Sequence, residues 1–136
     1  MFETYLTVVG RVITDVNVRV TQNGDKLCYF RVASNERRYN KDTQEWEDGS
    51  HLYVQVKCWR KLAENAAQSL ARGDNVVLWG RLFVDEYEAS GERRSMLVLD
   101  AKAIGPNLAT STVVLERPAR GLEVGAESLD PVPVAA

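Results

Sequence analysis

Helical periodicity occurs only once in this chain of 136 residues, and that limits the folds open to it. The segment RKLAENAAQSLARGD, residues 60–74, repeats apolar side chains at the spacing of an amphipathic helix, and Gly73 stands where a left-handed C-cap is expected. The segments on both sides alternate apolar and polar residues, which is the pattern of strands with one buried face. The sequence therefore predicts a mainly β domain with one helix inserted between strands.

Five strand-like segments surround this helix, three before it and two after it. Their predicted ranges are residues 5–20, 27–34, 51–59, 75–88 and 93–105. Asn23-Gly24, between the first two segments, is a strong signal for a tight hairpin turn. Three strands, a helix and two strands is the element order of the OB-fold. We therefore predict a mainly all-β, five-stranded Greek-key barrel with the helix between strands 3 and 4.

Other parts of the chain do not follow the barrel pattern. Residues 35–50 are polar and charged, which predicts a hairpin arm or a long loop. The barrel domain is expected over residues 1–110. Residues 111–120 contain a short strand-like run, which we expect as an extra strand or as a contact with a neighbouring subunit. Residues 121–136 are small, acidic and proline-containing, and are expected to form a disordered, flexible tail.

The net charge of −2 argues weakly against a nucleic-acid partner, because domains that bind nucleic acid are usually basic. Residues 1–110, however, hold 15 Lys and Arg against 15 Asp and Glu, so the remaining segment carries the net charge. A neutral domain can bind a polyanion when its cations share one face, so their placement on the strands decides the question.

The sequence does not support a membrane protein, a secreted protein or an enzyme. No apolar run approaches the roughly 20 residues of a membrane-spanning helix, and the first residues lack a signal-peptide organisation, so we expect a cytoplasmic protein. His51 is the only histidine, and the two cysteines, Cys28 and Cys58, lack zinc-ligand spacing. No glycine-rich phosphate loop is present. We expect no catalytic residue, no metal and no cofactor, and both cysteines buried at apolar strand positions.

The segment HLYVQVKCW, residues 51–59, has an unusual outward face. Leu52, Val54, Val56 and Cys58 fall on the parity that faces the core, and the other parity carries two aromatic residues, Tyr53 and Trp59, on either side of Lys57. Aromatic rings can stack on nucleobases of any sequence, and a cation between them can contact phosphate. This face is therefore a candidate surface for a flat and negatively charged ligand.

Several stretches together resemble the bacterial single-stranded DNA-binding protein (SSB) family. They are VVGRV, QNGDKLCYFRVASN, YNKDTQEWEDGSHLYVQVKCWRKLAENAAQSLARGDNVVLWGRL and ASGERRSMLVLDAKAIGPNL. The resemblance spans roughly residues 3–108 and is most specific in the strand-helix-strand run from Tyr53 to Leu82. It implies an OB-fold, assembled as a homotetramer, that binds single-stranded DNA without sequence preference in replication, recombination and repair, associated with the nucleoid.

The resemblance also implies which aromatic residues stack on bases. By position these are Tyr53, Trp59 and Tyr87, and a fourth falls at Tyr39 or at a neighbouring arginine. Strand parity and neighbouring positions add candidate phosphate contacts. These are Arg11, Arg31, Arg37, Arg38, Lys57, Arg81, Arg93 and Arg94.

Three features depart from the family pattern or stay ambiguous. Tyr87 is surrounded by acids in the segment VDEYE, where the family is usually more basic. Trp79 lies on the outer parity of the fourth strand, and we expect an oligomer contact there. Trp46 either stacks on DNA or belongs to a clamp in the long arm.

The last residues, LDPVPVAA, lack the acidic tip through which family members recruit enzymes of DNA metabolism. We therefore expect an accessory paralogue that coats DNA but recruits such partners poorly. Two alternatives stay open. One is an oligomeric OB-fold scaffold with weakened DNA binding that acts through another SSB. The other is a protein whose main ligand is single-stranded RNA, because stacking alone does not read the 2′-hydroxyl.

Overall fold

The computed structural model describes residues 2–117 of the chain. This part folds into a mainly β barrel with one helix, as the sequence predicts. In chain order the elements are β1 (Thr4–Val12), β2 (Asn17–Val20), β3 (Lys26–Asn40), β4 (Glu45–Trp59), α1 (Arg60–Ser69), β5 (Asn75–Ala89) and β6 (Glu92–Pro106). The predicted tail, residues 121–136, lies outside the described residues.

The six strands form one sheet in the order β1-β5-β6-β4-β3-β2. The sheet closes on itself because the end of β1 also pairs with β3, where Arg11 lies opposite Ala33. β4 and β6 pair in parallel, and the other strand pairs are antiparallel. This closed arrangement is the OB barrel, with β1 and β2 together in the place of its first strand.

The predicted single strand over residues 5–20 is in fact two strands, separated at residues 13–16. At the break, the backbone of Arg31 forms one hydrogen bond with a backbone group of the first segment and one with a side chain of that segment. Its carbonyl accepts a hydrogen bond from the Ile13 N–H at 2.9 Å, whereas its own N–H donates to the Thr14 hydroxyl at 2.9 Å. A side-chain oxygen thus replaces a backbone acceptor, and the regular ladder is interrupted there.

Two glycines allow the strands to approach closely at the barrel seams. A Cβ atom on Gly10 would lie 2.5 Å from the Ala33 carbonyl oxygen, where β1 crosses to β3. A Cβ atom on Gly80 would collide with the backbone at Asp100, next to a bulge in which β6 has one extra residue, Lys102. A glycine inside a strand pattern therefore marks a barrel corner in this chain, as the sequence suggests.

The barrel core is formed by the inward parity of the strands and by one face of α1. Its largest fully buried side chains are Phe30, Leu78 and Leu99. Cys28 and Cys58, directly opposite each other on β3 and β4, are fully buried, as expected. The prediction is wrong for Leu52, which is 39% exposed because β3 and β4 extend beyond the barrel from about this point.

The polar segment of residues 35–50 is a hairpin arm, one of the two structures predicted for it. β3 and β4 continue into the arm, and a bulge lies between the Asn35 and Arg37 pairings. β5 and β6 form a second projecting arm, closed by a turn at Ser90 and Gly91. Both arms are therefore extensions of barrel strands.

The helix is shorter than residues 60–74, and Gly73 is not its C-cap. α1 ends at Ser69, and Leu70 caps it by donating its N–H to the Ala66 carbonyl at 2.9 Å. Gly73, with φ of +99°, lies in the following turn and donates its N–H to the Val12 carbonyl at 2.8 Å. The glycine therefore ties the turn to β1.

Residues 111–117 have no regular secondary structure in the single chain, so pairing of this segment with another subunit stays a prediction. Among the helices that the structure describes, none is long and apolar enough to cross a membrane.

Candidate nucleic-acid interface

The candidate interface is the outward face of the barrel strands β3 and β4, which we call the outer face. On β4 it carries Tyr53, Gln55, Lys57 and Trp59, because the residues between them point into the core. Tyr53 is 58% exposed and Trp59 is 37% exposed. The parity predicted from the sequence is therefore correct for both aromatic rings.

The neighbouring strands decide what surrounds each ring. Ala33 lies directly opposite Tyr53, and Arg11 of β1 lies opposite Ala33 on its other side. The three residues form one row across the outer face, in which a small central side chain leaves the tyrosine ring open. Since adjacent strands are about 4.8 Å apart, the Arg11 and Tyr53 backbones are about 10 Å apart.

A second row lies at the other end of the face. Trp59 is opposite Leu27, and Leu27 is opposite Arg19 of β2. Both rows therefore place a cation two strands away from an exposed aromatic ring. The sequence analysis missed Arg19, although Arg19 shares the odd-numbered parity of Arg11 on the predicted single strand, and that parity would have indicated its outward position.

Between these rows, Arg31 and Lys57 add positive charge. The Arg31 Nε donates to the Gln55 side-chain oxygen at 3.3 Å, which holds the guanidinium across the strand pair. Lys57 is half-buried between Tyr29 of β3 and Asp100 of β6. The Asp100 Oδ2 atom accepts from the Lys102 ammonium at 3.2 Å, and the Oδ1 atom is buried without a hydrogen-bond partner among the described residues.

The outer face continues across β6 onto β5. Arg81 is opposite Asp100, and its guanidinium lies 4.3 Å from the centroid of the Phe83 ring. Further along the second arm, Tyr87 is opposite Arg94 and is 38% exposed. The arm thus presents a second aromatic and basic pair to the same side of the barrel.

The acids around Tyr87 divide between the two sides of this arm. Asp85 shares the parity of Tyr87 and is opposite Met96. Glu86 and Glu88 have the other parity, and Arg93, opposite Glu88, lies with them. Arg93, one of the four predicted cations on the two arms, is therefore directed away from the outer face.

In the first arm the bulge changes which residues share a face. β4 has one extra residue there, so its even-numbered residues take the side that odd-numbered residues occupy in the barrel. Tyr39 and Trp46 are consequently cross-strand partners on the outer side, with ring centroids 5.4 Å apart in an edge-to-face arrangement. Arg37 shares this side and lies 4.0 Å from Asp48, whereas Arg38 lies on the opposite side, 3.8 Å from Glu36.

A cavity of about 320 Å³ opens on the outer face between β2 and the second arm. We call it the outer-face cavity. Its lining residues are Arg19, Leu27, Tyr29, Gln55, Lys57, Asp85 and Met96. It combines apolar side chains, two cations and a single carboxylate.

A second exposed surface lies on β1 and β5, next to Arg81, which is the cross-strand partner of Tyr5. Tyr5 and Trp79 stack there with ring centroids 5.1 Å apart and an interplanar angle of 25°. Val9 and Val77 are cross-strand partners beside them, and all four side chains are exposed. We call these four residues the β1–β5 apolar patch.

Outside these surfaces, three titratable groups have clearly shifted pKa values. Hydrogen bonding with the Cys58 thiol lowers the pKa of Cys28. Hydrogen bonding to the Cys28 thiol, together with burial, raises the pKa of Cys58 far above its usual range. On α1, the Lys26 ammonium, 3.2 Å away, lowers the pKa of the Glu64 carboxyl. No group of three or more His, Cys, Asp or Glu side chains within residues 2–117 could hold a metal ion.

The closed barrel and its exposed strand face place the chain among the OB-fold proteins, a class that binds oligonucleotides on the face of its second and third strands. Here those strands are β3 and β4. The model of the Single-strand binding protein family matches residues 4–106, and the chain belongs to this family. The family and the fold inferred from the sequence are thereby confirmed.

Known relatives are similar over most of this chain. It is 40% identical over 120 residues to the Single-stranded DNA-binding protein of Corynebacterium glutamicum, across 88% of this chain and 53% of that protein. It is also 40% identical over 111 residues to Single-stranded DNA-binding protein 2 of Streptomyces coelicolor, across 81% of this chain and 56% of that protein. The chain thus spans little more than half the length of these two relatives.

Two solved structures share the fold. The small single-stranded DNA-binding protein from Streptomyces coelicolor has a TM-score of 0.75 and 38% identity, with 82% of this chain and all of that chain covered. The second single-stranded DNA-binding protein (SSBb) from Mycobacterium smegmatis has a TM-score of 0.68 and 38% identity, with 85% of this chain and all of that chain covered.

Proposed function

We propose that this chain binds single-stranded DNA without sequence preference and covers exposed strands during replication, recombination and repair. The observation that carries the proposal is the outer face, where exposed Tyr53 and Trp59 lie in rows with cations from neighbouring strands. Every base has an aromatic face, so stacking stabilises binding by about 1–3 kcal/mol per base whatever the sequence.

The geometry separates the two rings along the DNA path. Tyr53 and Trp59 are six residues apart on one strand, which corresponds to about 20 Å. They therefore contact different nucleotides, and Arg31 and Lys57 lie between them to bind the intervening phosphates. The two arms, with Tyr39 and Tyr87, extend the same path on either side of the barrel.

Binding should be detected by the fluorescence of Trp59. Poly-dT added at low salt should quench the emission, and rising salt should restore it, because cations displaced by phosphate contacts return to the DNA. Trp59→Ala should lose most of the quenching. Trp79→Phe is the matched control, since Trp79 lies in the β1–β5 apolar patch and not on β3 or β4, and it should keep the quenching. Wild-type protein that shows no quenching and does not retard a labelled oligonucleotide would contradict the proposal.

A second function is favoured by the β1–β5 apolar patch. Its exposed Tyr5–Trp79 stack is apolar and lies on β1 and β5, so a subunit contact there leaves Tyr53 and Trp59 of β4 free. Proteins of this family form oligomers, and for this chain we propose a homotetramer assembled through the patch. If wild-type protein assembles but does not bind DNA, the chain is a scaffold that acts through another SSB.

The cellular role follows from the same proposal. We place the protein in the cytoplasm, at the nucleoid, as an accessory SSB beside a main one. Similarity to proteins described as a small, a second and a number 2 SSB supports an accessory role. Deletion of the gene in a strain with a second SSB should leave the strain viable, whereas loss of viability would contradict it.

A further inference from the structure

We infer that the outer-face cavity binds one nucleobase that carries an exocyclic amino group, with the Asp85 carboxylate as hydrogen-bond acceptor. The inference rests on the proposed function, because it assigns a subsite on the same DNA path. It adds a preference among bases to a surface whose stacking contacts have none.

The size and lining of the cavity suit one base. Its volume of about 320 Å³ is at the lower end of the range for small-molecule sites. Leu27, which is 5% exposed, and Met96 supply apolar contacts, and Tyr29 supplies an aromatic ring. Arg19 and Lys57 come from strands on either side of Tyr29, where they can hold the phosphates that flank the bound base.

Asp85 is the only acid that lines the cavity. It has no ion pair within 4.0 Å among residues 2–117, although two cations line the same cavity. A carboxylate on a polyanion path repels phosphate, so it is unfavourable for binding unless a donor on the ligand offsets the repulsion. The bases are the only part of DNA that supplies such donors.

The identity of the base follows from its donors. An aspartate accepts readily from the N4 amino group of cytosine. Thymine offers only its N3–H, which lies between two carbonyl oxygens that repel a carboxylate. The cavity should therefore favour cytosine over thymine at one position, whereas the rest of the outer face treats them alike.

The test compares the affinities for dC and dT oligomers of equal length at one salt concentration. Asp85→Ala and Glu88→Ala remove the same charge from the same arm, but Glu88 faces away from the cavity. Both variants should bind the dT oligomer more tightly, since each loses a repulsive charge. Only Asp85→Ala should also lower the dC-to-dT affinity ratio, by about tenfold, because it alone loses a hydrogen bond to a charged group.

An equal dC-to-dT ratio in the two variants would overturn the inference while leaving the proposed function intact. Failure of the proposed function looks different, because the wild-type protein would then bind neither oligomer. Both substituted residues are exposed on the arm, so the variants should fold, and unchanged circular dichroism would verify this.

Discussion

At the scale of single residues, Tyr53 shows how a neighbouring side chain determines whether an aromatic ring is exposed. Its ring is exposed because Ala33, opposite it, is too small to cover it. We predict that Tyr53→Ala weakens binding to dT oligomers about tenfold, since loss of stacking costs about 1–3 kcal/mol and 1.4 kcal/mol corresponds to a factor of ten. Tyr53→Phe keeps the ring and should bind like the wild type. Equal weakening by both variants in a fluorescence titration would contradict a stacking role.

Cys58 gives a prediction about the core. The raised pKa of its thiol keeps the proton on sulfur at pH 8, and the side chain is fully buried. The thiolate is the reactive form, so a raised pKa protects Cys58. The pKa of Cys28 is lowered by its hydrogen bond with Cys58, but its side chain is also fully buried, so iodoacetamide should leave both cysteines unmodified in the folded protein. Mass spectrometry should detect two adducts once guanidinium has unfolded the chain. Rapid modification without denaturant would instead show that β3 and β4 separate readily in the native state.

At the scale of elements, the bulge in the first arm distinguishes two adjacent arginines. Arg37 lies on the outer side with Tyr39, and Arg38 lies on the other side. A plot of log affinity against log salt concentration has a negative slope. We predict that Arg37→Ala makes this slope shallower by about 1, as expected for one lost phosphate contact. Arg38→Ala removes the same charge and should change the slope much less. The prediction fails if the two variants give the same slope.

The seam between β1 and β3 depends on Gly10. Gly10→Ala should reduce the free energy of unfolding by about 1–3 kcal/mol, because its Cβ would overlap backbone atoms of β3 that cannot move aside easily. Gly105→Ala is the control, since Gly105 lies in β6 with no atom within 4 Å of its added Cβ. Urea unfolding should separate the two variants, and equal stability would mean that the seam adapts to the methyl group.

The same elements show which parts of the fold a sequence can reveal. The order of strands and helix was predictable, because periodicity is a local property and the two periods differ. The break after Val12 was not, since it depends on hydrogen bonds between Thr14 and Arg31, which are distant in the chain. The exposure of Leu52 and the outward position of Trp46 depend on where the barrel ends and on a one-residue bulge.

At the scale of the whole molecule, the distribution of charge matters more than its sum. The net charge is −2, yet six of the eight predicted phosphate contacts share the outer side. They are Arg11, Arg31, Arg37, Lys57, Arg81 and Arg94. Parity within a strand predicted the aromatic rings, but only the pairing between strands shows which cations accompany them. For that reason Arg38 and Arg93 were grouped with residues that they do not face, whereas Arg19, which shares the parity of Arg11, could have been found from the sequence.

The whole molecule also has two exposed surfaces on different strands, the outer face of β3 and β4 and the β1–β5 apolar patch, and we predict that they can be disabled separately. Trp79→Glu would place a charge in the β1–β5 apolar patch, and burying it between subunits would be costly. Light scattering should therefore report a smaller assembly than for the wild type. Trp59 lies on the other surface, so each subunit should still be quenched by dT oligomers. Trp46→Glu is the matched control on the first arm and should keep the wild-type mass. An unchanged mass for Trp79→Glu would mean that subunits meet through another surface.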